Sequence, residues 1–278
     1  MYEVDLHLHT YYSDGVYSPE EVAEMAHRQG VKKLSITDHD GVWGLYEGRI
    51  AAKKYGIEFV NGIELSTEHQ GRVEIHILGH GFDEACPEIL KAGEEAMTAR
   101  RSRNERLVQA LGEEGYDITI DELYRGSKTG YVGKPHIAKL LKQKGYVASY
   151  DEAFSDIFER ENIRKIKKEI MTSEEAIDVI RKAGGRATLA HPGKIKKLGE
   201  RGSENFFNEI EKIVKRLCSS GMGGIECCHS DHNEMEIQRF SEFARKYNLD
   251  ITAGSDFHRF DSYLLSFHLF YLKFSDST

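Results

Sequence analysis

The chain has 278 residues, 40 % of them hydrophobic and 30 % charged, enough to bury a sizeable core as one large domain or one domain with an insertion. A formal net charge of −8 argues against a general binder of duplex DNA, which needs a basic footprint, but leaves room for a small anionic ligand. The chain starts without a basic, apolar leader, and its most apolar stretch, 264–274, carries His268 and Lys273 and is too short to span a bilayer, so a cytoplasmic protein with no membrane partner is expected. Cys86, Cys218, Cys227 and Cys228 show no Cys-x-x-Cys spacing and are expected as reduced thiols.

The alternation Val4-Asp5-Leu6 ends in His7-Leu8-His9. Side chains two apart on a strand point the same way, so both imidazoles face one site, as a transition metal requires. Asp14 follows in the loop. Ser18-Pro19-Glu20-Glu21 is a capping box with proline at the first helical position, opening a helix that stops near Gly30. Strand-like 33–37 runs into Thr37-Asp38-His39-Asp40. Just beyond it, Trp43 is expected to pack rather than to stack on a base. A helix ending near Gly56 then leads to strand-like 57–60. Ile63-Glu64-Leu65 ends another apolar run, and 73–78 is a further one containing His76.

The alternation breaks over 83–171. A long helix is expected over 89–114, a shorter one from Pro135 and another over 151–158, with no clear strands between them. This reads as a small helical insertion over the mouth of the main fold. Arg100, Arg101, Arg103 and Arg106 cannot all share a helix face, so at least some are expected in solvent. The charge run 160–168 is expected to be a solvated face.

Thr172-Ser173-Glu174-Glu175 is a second capping box, for a helix stopping at Gly184-Gly185. Strand 186–190 leads into His191-Pro192, a helix spans 205–217, and strand 224–228 precedes His229. A helix over 233–247 and strand 249–253 lead into Ser255-Asp256-Phe257-His258. About seven strands separated mostly by helices form the pattern of a parallel α/β fold, whose chemistry sits at the carboxyl ends of the strands. The aromatic tail from Arg259 to Phe274 is expected to seal the barrel bottom or to make an oligomer contact.

His7, His9, Asp14, His39, Glu64, His76, His191, Asp256 and His258 offer six imidazoles and three carboxylates, more than one ion can use. Nitrogen and oxygen donors without thiolate suit Mn, Fe or Zn and do not decide among them. A shared carboxylate holds two ions about 3.5–4 Å apart, the spacing that clamps a phosphoryl group.

The motifs His7-x-His9, Thr37-Asp38-His39-Asp40, Ala190-His191-Pro192 and Ser255-Asp256-Phe257-His258 resemble those of the PHP family, named for polymerase and histidinol phosphatase. Gly62-Ile63-Glu64-Leu65-Ser66, His76-Ile77-Leu78-Gly79 and Gly133-Lys134-Pro135-His136 are similar to the bacterial branch of nucleoside 3′,5′-bisphosphate phosphatases and 5′-to-3′ exoribonucleases. The resemblance implies a distorted (β/α)7 barrel over 1–82 and 172–278, with 83–171 as a helical substrate cap. It further implies three divalent metals, manganese expected and iron or zinc the alternatives. His7, His9, Glu64 and Asp256 would hold the first, Glu64 with His76 and His191 the second, and Asp14, His39 and His258 the third.

The implied activity is hydrolysis of phosphate esters by a metal-bridging hydroxide, with Glu64, Asp256 and His191 catalytic. The expected substrates are small 3′,5′-bisphosphonucleotides or the 5′ ends of short single-stranded RNA. Lys134 stands where the branch carries arginine, replacing a bidentate fork by a point charge. His136, Lys194 and His229 are further candidates for substrate binding. The alternatives are a phosphatase of histidinol phosphate or another small monoester and, from a different class, a non-catalytic PHP interaction module. The sequence leaves the oligomeric state open.

Overall fold

A computed structural model describes residues 3–71 and 73–259. The aromatic tail singled out above lies outside the described residues from position 260 onward. Seven strands run in sequence order around one sheet: β1 (Val4–Leu8), β2 (Lys33–Ile36), β3 (Glu58–His69), β4 (Val73–His80), β5 (Arg186–Leu189), β6 (Gly224–His229) and β7 (Asp250–Gly254). Just past the end of β7, Leu8 bridges Phe257 in parallel, and the His9 amide donates to the Phe257 carbonyl at 3.0 Å. The Asp256 amide donates to the His7 carbonyl at 2.9 Å, so the barrel closes at the rim where the ligand motifs lie.

Two junctions depart from the parallel pattern. β3 pairs with β2 in parallel through 58–61, then continues without a break and pairs antiparallel with β4 from Gly62↔His80 to His69↔Val73. β4 is also antiparallel to β5. The short run expected at 57–60 and the run ending at Leu65 are therefore one twelve-residue strand. Glu64 and His76 sit inside strands, not at carboxyl ends as expected. The physical reason is the turn at Gln70-Gly71, which has positive φ at both positions (55° and 64°) and folds β3 straight back into β4 without a helix between them.

The barrel helices follow their capping signals. α1 (Pro19–Arg28) carries the reciprocal Ser18–Glu21 box and stops before Gly30, whose φ of 82° only glycine adopts freely. α2 spans Leu45–Lys54. α3 (Pro87–Glu113) is a 27-residue helix, about 40 Å long at 1.5 Å per residue. Shorter helices follow: α4 (Ile120–Tyr124), α5 (Lys134–Gln143), α6 (Tyr150–Ser155) and α7 (Glu161–Arg164). α8 (Ser173–Lys182), α9 (Glu204–Ser219) and α10 (Glu234–Tyr247) return to the barrel, α8 and α10 behind capping boxes at Thr172–Glu175 and Asn233–Glu236.

Buried apolar residues fall into two clusters. One fills the barrel and its helices, with Leu8, Leu34, Ile63, Ile77, Leu189 and Ile225. The other lies within the helical segment, around Leu107, Leu111, Ile137, Leu141, Phe158 and Ile163. No described helix is long and apolar enough to cross a membrane. None of the four cysteines is in a disulfide, and Trp43 lies against Gly41, where a Cβ would overlap its ring.

Candidate metal centre

The nine singled-out ligand positions converge on the barrel mouth. β1 delivers His7, and His9 directly follows its last residue; both are fully buried. Glu64, from the middle of β3, stands at the centre. Its Oε2 lies 3.3 Å from His7 Nε2, 3.2 Å from His9 Nε2 and 3.0 Å from His39 Nδ1. Its Oε1 lies 2.8 Å from His76 Nδ1 and 2.9 Å from His191 Nε2. Asp256 Oδ1 is 3.2 Å from His9 Nε2 and 3.5 Å from His7 Nε2. Asp14 is 3.2 Å from His258 Nε2 and 3.7 Å from His39 Nε2.

Three groups have ligand atoms within 4.8 Å of one another: His7, His9, Glu64 and Asp256; His39, Glu64 and His76; and His9, Asp14, His39 and His258. The first is the set expected for one ion. The second has His39 where His191 was expected beside Glu64 and His76, and the third adds His9 to the expected Asp14, His39 and His258.

Whether these residues suit metal ions is decided by their open atoms. His7 Nε2, His9 Nε2, His39 Nδ1, His191 Nδ1, Glu64 Oε2 and Asp14 Oδ1 are buried without a hydrogen-bond partner. An unpaired buried polar atom costs about 1–3 kcal/mol, so such a concentration calls for a ligand. Hydrogen bonds on the far side of the rings fix the tautomers accordingly. His7 Nδ1 donates to Glu226 at 3.0 Å, His9 Nδ1 faces Ser13 Oγ at 3.4 Å, and His258 Nδ1 donates to the Asp256 carbonyl at 2.9 Å. Each turns Nε2 toward the cluster, where displacement of its proton would leave a lone pair for a metal, the usual arrangement around metal-ligating histidine. The donor set fits divalent metal.

Electrostatics agree. Burial opposes charge on His9, but Asp256 and Glu64 outweigh it and raise the ring to about 10. Burial likewise opposes charge on His76, and Glu64 and Glu74 bring it to about 9. At His191 and His39 burial prevails and lowers them to about 4 and about 3. Glu64 and Asp256 stay well below the carboxylate range despite burial, held by His39 and His7 in one case and by Lys194 and His7 in the other. Strained backbone marks the same rim: His191 (φ 26°), Asp256 (φ 54°) and Asp40 (φ 55°) are non-glycine residues in the left-handed region.

The expected substrate residues divide. Lys194 Nζ lies 2.7 Å from Asp256 Oδ2, beside the cluster. His229 Nδ1 accepts from the Asp231 amide at 3.0 Å, so its Nε2 carries the hydrogen and points toward Asp256 Oδ2 at 3.5 Å. That makes it a donor, not a ligand. His136 Nδ1 accepts from the Gly133 amide at 3.2 Å and caps α5. Lys134 lies 5.3 Å over the Phe158 ring, and burial with the nearby Arg103 and Lys167 charges lowers its pKa.

Some residues escaped sequence reasoning. Glu226 accepts from His7 Nδ1 and, at 2.7 Å, from the His191 amide, tying two candidate ligands to β6. A glutamate between Ile225 and Cys227 on an apolar strand was a legible signal. Gly254 packs so closely on His7 and Glu226 that a side chain there would strike both. Lys168, expected in solvent, is part-buried with Nζ 3.2 Å from Asp40 Oδ2, whereas Glu161, Asn162, Arg164, Lys165 and Lys167 of the same run are exposed. Arg100 and Arg103, three apart on α3, are buried, whereas Arg101 and Arg106 of the same helix ion-pair with Glu105 and bond to the Lys167 carbonyl at exposed positions.

The PHP domain family matches residues 5–182. The chain belongs to the PHP family. It is 33 % identical over 257 residues to a 5′-3′ exoribonuclease of Haemophilus influenzae, covering 91 % of this chain and 89 % of that one. It is 32 % identical to a phosphoribosyl 1,2-cyclic phosphate 1,2-diphosphodiesterase of Eggerthella lenta, covering 91 % and 93 %. A 3′,5′-nucleoside bisphosphate phosphatase of Chromobacterium violaceum is 30 % identical, with 93 % and 88 % covered. A solved structure from the same organism, described as an amidohydrolase with bound sulfate and no metal, superposes with a TM-score of 0.83 at 30 % identity, covering 92 % and 87 %. This PHP chain is a hydrolase, a metal-dependent phosphoesterase with the distorted seven-stranded barrel of its family.

Proposed function

We propose that this chain hydrolyses a phosphate ester carried on a ribosyl unit, either a nucleoside 3′,5′-bisphosphate or the 5′ end of a short single-stranded RNA. The cluster of open, buried donors around Glu64 carries the reading. The named relatives act on different molecules, yet all three are phosphoribosyl esters.

In this reading three divalent ions, manganese first, occupy the subsites laid out by His7, His9, Glu64 and Asp256, by Glu64, His76 and His191, and by Asp14, His39 and His258. Bound there, divalent metal supplies Lewis acidity and lowers the pKa of coordinated water toward about 7. The protein does the rest. Glu226 and Ser13 fix the imidazole tautomers, and Lys194 neutralises Asp256. Residues 83–171 act as the cap. Lys134 is the point charge that receives a substrate phosphate, with the Nε2–H groups of His136 and His229 as further donors.

The test is phosphate release by Mn-reconstituted protein from adenosine 3′,5′-bisphosphate, a short 5′-phosphorylated RNA and histidinol phosphate. Turnover of either of the first two, with histidinol phosphate untouched, is expected. Activity on histidinol phosphate alone would overturn the ribosyl assignment.

A further inference from the structure

Four side chains, His39, Asp40, Arg100 and Tyr131, close a circuit between barrel and insertion, and of these only His39 is an expected metal ligand. Asp40, directly after His39, is 1 % exposed and has φ 55°. Its amide donates to the Glu64 carbonyl at 2.9 Å, and its Oδ1 accepts from the Ser66 amide at 2.9 Å, so it is stitched to β3 at the central glutamate and two residues beyond it. Its Oδ2 receives Arg100 Nη2 from α3 and Lys168 Nζ. The Arg100 guanidinium lies 4.1 Å over the Tyr131 ring, and Tyr131 returns to the start, its ring 7° from parallel with His39 at 6.2 Å between centroids.

A buried ion pair adds little net stability over well-packed apolar groups, because desolvation consumes most of the attraction. A non-glycine residue at positive φ persists only where its surroundings over-determine it. Here the surroundings are Arg100, Lys168 and the two β3 hydrogen bonds. The outcome of that cost is a fixed main chain at residue 40 and hence a fixed imidazole at residue 39. His39, like His9 and Glu64, belongs to two of the three ligand groups, so small displacements there are felt by both.

We infer that Arg100 and Tyr131 of the insertion are positioning residues for His39, so that the metal centre is complete only when the insertion is seated on the barrel through Asp40. The inference rests on the metal-dependent reading above, and it makes the insertion part of the metal site as well as a cover for substrate.

The experiment is a titration of free Mn²⁺ into chelator-stripped full-length protein, followed by electron paramagnetic resonance, for wild type, Arg100→Met, Arg100→Lys, Tyr131→Phe and Tyr131→Ala. Circular dichroism checks that each is folded, and kcat and KM are measured at limiting and excess Mn²⁺. Arg100→Met and Tyr131→Ala should weaken the weakest-bound Mn²⁺ about 10–100-fold, the usual effect of removing a group that orients a ligand. Their kcat should fall at limiting Mn²⁺ and recover in excess, with KM little changed, a rescue that misfolding does not give. Tyr131→Phe keeps the ring and should stay within about twofold of wild type, while Arg100→Lys should fall between, since a point charge does not stack as a guanidinium does. A folded Arg100→Met protein, or Arg100→Lys if only that one folds, with wild-type Mn²⁺ affinity overturns the inference. So does a loss confined to KM, which would make Arg100 a substrate contact. Wild-type protein that takes up no Mn²⁺ overturns the metal reading itself, and the two failures are thereby distinguished.

Discussion

Charge is buried in two places, on opposite sides of Asp40. Toward the barrel axis, His7, His9, His39, His191, Asp14 and Glu64 each bury an atom with no partner. Toward the insertion, the carboxylate of Asp40 is filled, Ser66 from one side and Arg100 and Lys168 from the other, although Arg100 Nε and Arg103 Nε nearby are buried without a partner. An open cluster gives up stability for the sake of something it will bind, whereas a closed one holds a shape. The same short motif, Thr37-Asp38-His39-Asp40, supplies both kinds. Its Asp38 is also filled, accepting from the Thr10 amide at 2.8 Å, Thr10 Oγ1 at 2.7 Å and Ser13 Oγ at 2.6 Å. Burial class alone does not separate the two; the partner of each atom does.

Breaking the open side should have the largest effect. Glu64→Ala removes the carboxylate common to two ligand groups, and kcat should fall about 10³-fold or more, the upper range for losing one group that stabilises transition-state charge. Near-normal turnover would remove Glu64 from the centre. Glu226→Gln leaves every candidate ligand in place but offers one acceptor oxygen where His7 and the His191 amide need two. Metal affinity should drop about 10–100-fold with the fold intact, as read by a metal titration beside circular dichroism. Lys134→Ala touches neither side and sharpens the contrast: KM should rise about tenfold, the value of one charge-assisted hydrogen bond, with Mn²⁺ affinity unchanged.

The smallest effect is on pH dependence, and its sign can be worked out for metal-free protein. His9 and His76, raised to about 10 and about 9, contribute stability that is full below pH 6.5 and lost as pH rises through those values. His191, lowered to about 4, and Glu226, lowered to about 2 by His7 despite burial, act on the other limb: stability falls as pH drops below about 6.5 for the first and about 4.5 for the second. Metal displaces the protons from His9 and His76 and so removes the alkaline loss. The melting temperatures of Mn-loaded and metal-free protein should therefore diverge between pH 6.5 and 9. Parallel curves over that range would mean that these rings are not ligands.

Much was legible locally. His7-x-His9 is presented to one side because strand periodicity is two, and the boxes at Ser18 and Thr172 start helices wherever their partners three residues on can reach back. The helical segment without strands was readable from the lapse of alternation. The expected parallel placement of Glu64 and His76 was not, because a tight turn at Gln70-Gly71 looks in sequence much like any loop.

The amino-acid sequence by itself determined which residues could be ligands, since imidazole and carboxylate chemistry belongs to residue type, and it determined most of the elements that carry them, since caps and periodicity act over a few residues. Only the tertiary structure decided which charges remain open and which are closed. Asp40 and His39 are neighbours in sequence, but Arg100, Tyr131 and Lys168 reach them across 60 to 128 positions. Pairing at such separations is set by how the insertion packs on the barrel, and no local propensity encodes it.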